Sequence, residues 1–162
     1  MLARSRARAG AAGHGSPPGT EAAGHIPYLE AVTKIAEGDT RDGCRWELSA
    51  ESTGTDHVTW LRVTTPGGHT EKGGYGDSSL QEGRRLALYT GWDDIGPNRA
   101  IIRVSNDVET VRVNLSDGGW ESVELTPHPI DTDAQVGAFI YARALEIRNI
   151  LNRSAQQLVE LA

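Results

Sequence analysis

The sequence of 162 residues is poor in cysteine, phenylalanine and lysine, with one, one and two of them respectively. Because Cys44 is alone, no disulfide can form within the chain, and a free cysteine is usually a small buried side chain. This cysteine usage suits a reducing compartment such as the cytoplasm. No apolar run reaches the roughly 20 residues that a membrane-spanning helix needs. Length and composition therefore predict one soluble domain with a core of its own.

The motifs of several enzyme classes are also missing. In the glycine-rich segment 67–76, Lys72 precedes its glycines and no Ser or Thr follows it directly, so a phosphate-binding loop is excluded and a flexible loop or hairpin is predicted. There is no Gly-x-Ser-x-Gly elbow and no His-Glu-x-x-His pair. His57 and His69 can face each other across a hairpin, but with no third ligand we expect no metal site. We expect no cofactor and no catalytic constellation.

Charge is divided unevenly along the chain. Met1 to Gly24 contains three arginines and one acid, a balance of +2, whereas the remainder contains 13 basic and 21 acidic residues, a balance of −8. Such an acidic body disfavours nucleic acid and anionic lipid as partners, because both are bound through Lys and Arg. Residues 1–25 have too few large apolar side chains to offset chain entropy, so we predict a disordered tail followed by one domain over 26–162.

Short β-like runs separated by turns follow this tail. Trp46, Leu48 and Ala50 alternate with polar residues, and Asp117-Gly118 between two alternating runs predicts a hairpin. Further strands are predicted at 57–65, 85–90, 100–104 and 136–142. This spacing predicts an all-β fold, an antiparallel, immunoglobulin-like β-sandwich. Trp46, Trp60 and Trp120 lie in predicted strands, where we expect them to be core or cross-strand packing residues that supply much of the aromatic bulk.

Two segments allow two interpretations. Residues 26–37 suit either a short helix or an entering strand. Residues 146–161 suit an amphipathic helix, which their periodicity and propensity slightly favour, or a hairpin that turns at Asn152–Ala155.

The segment Val104–Gly118 has the pattern Val-x-x-Asp-Val-x-x-Val-x-Val-x-x-x-Asp-Gly. It resembles a pattern of small β-rich proteins from bacteria with GC-rich genomes. The resemblance implies a C-terminal β-hairpin, which decides between the two interpretations of 146–161. It implies no activity.

Trp92, Asp93 and Asp94 form the loop whose side chains are best suited to bind a ligand. An indole can stack on a sugar face while carboxylates accept hydroxyl hydrogen bonds, and carboxylates can also hold Ca²⁺. Asp131 and Asp133 lie in a second loop that can converge with the first, and paired carboxylates also serve glycosidases. Because no catalytic motif is present, the leading hypothesis is a non-catalytic module that binds a protein partner through loops and edge strands. The alternative is a carbohydrate- or calcium-binding domain or a glycan hydrolase.

Overall fold

The computed structural model of the protein describes residues 31–54, 56–76, 80, 83–92, 94–152 and 157–160. The predicted tail over residues 1–25 lies outside the described residues, as do Asp93 and the predicted turn residues 153–155. In the described part of the chain, every regular element is a strand, and no helix is long and apolar enough to cross a membrane.

The described strands form three antiparallel sheets of four strands each. Sheet A has the order β1-β2-β3-β4, sheet B β5-β6-β10-β9, and sheet C β12-β11-β7-β8. The strands are β1 Val32–Asp39, β2 Arg45–Ser52, β3 His57–Thr64, β4 Thr70–Gly76, β5 Leu86–Gly91, β6 Asn98–Ser105, β7 Val111–Leu115, β8 Trp120–Val123, β9 Thr126–Pro127, β10 Ala134–Tyr141, β11 Ile147–Asn152 and β12 Gln157–Glu160.

Sheet B lies between the other two sheets and contributes one face to each of two cores. The first core joins sheets A and B through residues such as Leu48, Leu61 and Ile101. The second joins sheets B and C through residues such as Ile102 and Val113. The antiparallel β-sandwich that the sequence predicts is therefore confirmed, with a third sheet beyond the two of an immunoglobulin-like domain.

Strand β6 is buried on both faces because it runs through the middle layer. Successive side chains of a strand point to opposite faces, so Ile101 faces sheet A and Ile102 faces sheet C. By the same alternation Arg99 and Arg103 are turned toward sheet A. Two arginines thus point into the interior between sheets A and B. There Arg99 pairs with Glu71, and Arg103 pairs with Asp131.

The C-terminal hairpin is confirmed, because β11 pairs with β12 in antiparallel register. The open choice at 26–37 resolves to a strand, since β1 begins at Val32 and pairs with β2. The glycine-rich segment 67–76, which the sequence predicts to be a flexible loop or hairpin, is part of a hairpin, with its turn before Thr70 and strand β4 after it. Strand β4 pairs with β3 from Thr70 to Gly76. This pairing does not depend on side chains, because the neighbouring strand provides hydrogen-bond partners for the backbone N–H and C=O groups.

Trp46 and Trp60 are cross-strand packing residues, paired with Gly38 and Gly74, which is one of the two roles that the sequence predicts for them. Trp46 and Trp60 lie half-buried across Gly38 and Gly74, and Trp120 is 55% exposed with Arg112 over its ring. The buried apolar residues are mostly Val, Ile and Leu, together with Phe139. Cys44 is buried, as the sequence predicts.

Candidate functional site

The two acidic loops of the sequence analysis lie at opposite ends of sheet B. Strand β6 begins at Asn98, just after Asp94, and ends at Ser105, which pairs with Ala134, just after Asp131 and Asp133. At about 3.3 Å a residue, that strand separates the loops by roughly 23 Å. The predicted convergence of Asp94 with Asp131 and Asp133 into one site is therefore wrong.

Asp131 serves the interior and not an exposed site. Its carboxylate pairs with the guanidinium of Arg103, whose side chain is fully buried. Its Oδ1 also accepts a hydrogen bond from the backbone nitrogen of Asp133 at 3.1 Å. Asp133 is exposed beside it. The carboxylate of Asp131 is thus committed to the buried charge of Arg103.

A buried polar cluster surrounds this ion pair, formed by His57, Thr59, Tyr75, Arg103 and His128. Nδ1 of His128 accepts backbone N–H bonds from Ile130 at 3.2 Å and Asp131 at 2.9 Å. The hydrogen of that imidazole therefore lies on Nε2, which is 3.0 Å from the hydroxyl of Thr59 and donates to it.

The electrostatics of this cluster keep His128 and Tyr75 uncharged at neutral pH. Burial, with the nearby His57 and Arg103, lowers the pKa of His128 to about 4. Burial raises the pKa of Tyr75 to about 12, although Arg103 and Thr59 act in the opposite direction. At neutral pH the imidazole of His128 and the phenol of Tyr75 are therefore both neutral.

His57 and His69 do not face each other. They flank opposite ends of the β3–β4 ladder, and His57 instead meets His128, with 4.8 Å between ring centroids. In the described residues no group of three or more His, Cys, Asp or Glu side chains is arranged to hold a metal ion.

Trp92 and Asp94 line an open cleft of about 430 Å³ between the ends of sheets B and C, which we call the Trp92 cleft. Its other polar lining residues are Thr90, Asn98, Tyr141, Arg143 and Glu146. The indole of Trp92 is 73% exposed at its mouth. This cleft therefore contains Trp92 and Asp94, two of the five residues that the sequence predicts as a ligand site.

Hydrogen bonds hold the two walls of the Trp92 cleft together. Nδ2 of Asn98 donates to the carbonyls of Arg143 and Leu145, both at 3.3 Å. The guanidinium of Arg143 in turn donates to the carbonyl of Asp94. Burial and the neighbouring Glu146 carboxylate raise the pKa of Tyr141, so its phenol is a donor at neutral pH. The protein's own hydrogen bonds therefore hold the lining in place.

One edge of strand β10 is open over its second half. β6 pairs with the whole strand, but β9 pairs only with Gln135 and Val136. The carbonyl of Ala134 accepts a hydrogen bond from His128 on the β9 side, and backbone groups alternate sides along a strand. The backbone groups of Ala138 and Ile140 therefore point to the side where, among the described residues, no strand pairs with them.

This edge lies in a groove of about 530 Å³, which we call the β10 groove. One wall is the turn after β1, and the other is β8 with Glu124, the residue that follows it. The apolar lining includes Trp46 and Phe139. Four exposed acids and one exposed base stand around it, namely Asp39, Asp42, Glu121, Glu124 and Arg41.

Sequence reasoning missed this groove and the buried cluster. An arginine inside the apolar run of β6 is the signal that marks Arg103, because such a side chain needs a buried partner. The signal for the open edge is the shortness of β9. The chain crosses from β8 in sheet C to β9 in sheet B, and Pro127 and Pro129 carry no N–H for a longer ladder.

Comparisons of this chain with protein-family models, with curated proteins and with solved structures found no match.

Proposed function

We propose that this protein is a non-catalytic, cytoplasmic interaction module that binds a basic, extended segment of a partner protein as an added strand along β10. The observation that carries the proposal is the open edge at Ala138 and Ile140 inside the β10 groove. Unpaired backbone groups at a sheet edge are a template for another strand. In β-strand addition these groups provide affinity, and pockets for alternate side chains provide specificity.

The charge of the β10 groove favours a basic partner. Four carboxylates and one guanidinium stand around it, and the chain beyond Gly24 has a balance of −8. Complementary charge speeds encounter and selects against acidic partners. Half-buried Trp46, which also lines the groove, adds apolar surface for the side chains of such a strand.

The test uses an acetylated decapeptide of alternating Arg and Val as the probe, with binding followed by fluorescence anisotropy. The expected result is binding that weakens with salt and is absent for the matching Glu-Val peptide. Methylating the peptide nitrogens on one edge should abolish binding, because the added strand then loses its donors. In amide exchange, Ala138 and Ile140 should gain protection, whereas Phe139, already bonded to β6, should change little.

Two variants locate the probe in the β10 groove. Ala138→Pro removes a donor on the open side, where proline is tolerated, and should abolish binding. Glu121→Lys with Glu124→Lys should weaken binding by about tenfold, or about 1.4 kcal/mol. Asp133→Lys, an exposed acid at the far end of β10, is the charge control and should have little effect.

Other occupants of the edge give different results. Binding without protection of Ala138 and Ile140, or equal binding of the acidic peptide, would overturn the proposal. So would a dimer in sedimentation velocity in which these amides are protected without peptide, because the edge would then belong to a second copy of the chain.

A further inference from the structure

We propose that the Trp92 cleft binds a neutral oligosaccharide, with one sugar ring stacked on the indole of Trp92. The cleft is separate in function from the β10 groove, although Tyr141 and Leu145 line both. Of the site that the sequence predicts, the cleft contains Trp92 and Asp94, whereas Asp131 and Asp133 lie at the other end of sheet B.

The exposure of Trp92 is the first support. A side chain of this size is seldom left in water, since removing its apolar area from solvent is favourable by roughly 25 cal/mol per Å². Trp46 and Trp60, in contrast, lie half-buried against Gly38 and Gly74. Trp92 presents a flat ring at the mouth of a cleft with no such packing, and a sugar ring offers an apolar face of matching shape.

The size and polarity of the cleft are the second support. About 430 Å³ falls within the range of small-ligand sites, roughly 300–1,000 Å³. Asp94 and Glu146 offer carboxylate acceptors, and the phenol of Tyr141 offers a donor. Sugar hydroxyls both donate and accept, so this mixed lining fits a polyol.

The charge of the cleft selects among possible ligands. Two carboxylates, Asp94 and Glu146, disfavour an acidic sugar or a phosphate. The guanidinium of Arg143 in the same cleft disfavours a calcium ion. A ligand without net charge avoids both penalties.

The rigidity of the cleft is the third support. Asn98 ties the turn after β10 to the start of β6, and Arg143 ties that turn to the carbonyl of Asp94. Holding the walls in place before binding reduces the entropy that a ligand must overcome.

The test titrates the full chain with neutral hexasaccharides of glucose, xylose, mannose and N-acetylglucosamine. Binding is followed by tryptophan fluorescence and by saturation-transfer NMR. At least one should bind, and Trp92→Ala should weaken it at least about tenfold. Trp120→Ala, which removes another exposed indole, and Ala138→Pro, which alters the β10 groove, should bind as the parent does.

Two further arms separate the chemistries. Hexagalacturonate, an acidic comparator, should bind more weakly than the neutral sugars, and EDTA should change nothing. The proposal is overturned if no neutral sugar binds, if Trp92→Ala binds equally well, or if binding requires calcium. It is also overturned if Trp92→Ala removes binding of the Arg-Val peptide instead, because the indole would then anchor a protein partner.

Discussion

Arg103 places a full charge in the interior between sheets A and B. Taking a guanidinium out of water is costly, and a close carboxylate compensates only when the geometry and the surrounding hydrogen bonds are good. Asp131 provides that carboxylate, and backbone and hydroxyl partners hold His128 beside it. This ion pair therefore holds the 128–133 loop together with the hydrogen bonds of His128 and those from Asn106 to the carbonyls of Thr132 and Asp133.

We predict that Asp131→Asn destabilises the protein by roughly 3–5 kcal/mol, because it leaves the buried guanidinium without its counter-charge. Asp133→Asn is the matched control. It changes an exposed carboxylate two residues away, where a surface substitution should cost no more than about 0.5 kcal/mol. Chemical denaturation at pH 7 measures both. Equal losses in the two variants would show that the pair contributes little.

His128 gives the molecule a defined loss of stability in acid. Its pKa is lowered to about 4 by burial and by the nearby His57 and Arg103, whereas an unfolded imidazole titrates near 6.5. Between these values the unfolded chain binds a proton that the folded chain excludes. The free energy of unfolding therefore falls as pH falls from about 6.5, and the loss is complete below about 4.

We predict that His128 alone contributes a loss of about 2 kcal/mol between pH 7 and pH 4.5. His128→Asn keeps an acceptor for the N–H groups of Ile130 and Asp131 but has no proton to gain in this range. Its stability should therefore fall by that much less over the same interval. Urea denaturation of both proteins at the two pH values measures the difference, and parallel losses would exclude His128 as the cause.

At the scale of elements, the crossing from sheet C to sheet B depends on Gly137. A Cβ at this position meets the carbonyl oxygen of Glu124 at 2.5 Å and a methyl of Val123 at 2.6 Å. Both atoms belong to the stretch that leaves β8 for β9. The same crossing leaves the second half of β10 open, so the glycine and the β10 groove have one structural origin.

We predict that Gly137→Ala destabilises the protein by about 1–3 kcal/mol, because backbone cannot yield to a Cβ as a flexible side chain does. Gly76→Ala is the matched control in another strand, where the nearest atom would lie at an ordinary 3.7 Å. Its effect should be small. Thermal denaturation of both variants decides, and a Gly137→Ala protein as stable as the Gly76→Ala protein would contradict the close crossing.

The strands that the sequence predicts well are those whose signal is local. Alternation at Trp46, Leu48 and Ala50 and the Asp117-Gly118 turn are readable because one strand face or one turn contains the whole pattern. Strand β4 is not readable in this way. Its glycines have low strand propensity, and its place depends on β3 beside it.

The same difference between local and distant signals applies to the candidate site. Trp92 and Asp94 are predicted together from the sequence because one loop contains both of them. The partners of that loop, Tyr141, Arg143 and Glu146, come from a distant turn. Asp131 is misassigned as a ligand residue because its true partner, Arg103, lies 28 positions earlier on a neighbouring strand. Such pairings follow from topology, which local patterns do not determine.

At the scale of the whole molecule, sheet B couples the two cores. Ile101 packs toward sheet A and Ile102 toward sheet C, yet they are consecutive residues of β6. A substitution in either core therefore changes the packing of β6, which belongs to both cores. For this reason the three sheets should unfold as one cooperative unit.

We predict that Ile101→Val and Ile102→Val each lower the stability of the same single transition by about 0.5–1.5 kcal/mol. For a chain of this size that corresponds to roughly 2–6 °C in the melting temperature. Calorimetry should give one peak for both variants, with the calorimetric enthalpy equal to the van't Hoff enthalpy. If the cores were independent, each substitution would produce a second, earlier transition in which only one outer sheet unfolds. Amide exchange would then show protection lost only in sheet A for Ile101→Val and only in sheet C for Ile102→Val. A single shifted peak, with exchange accelerated across all three sheets, is the result that a shared central strand requires.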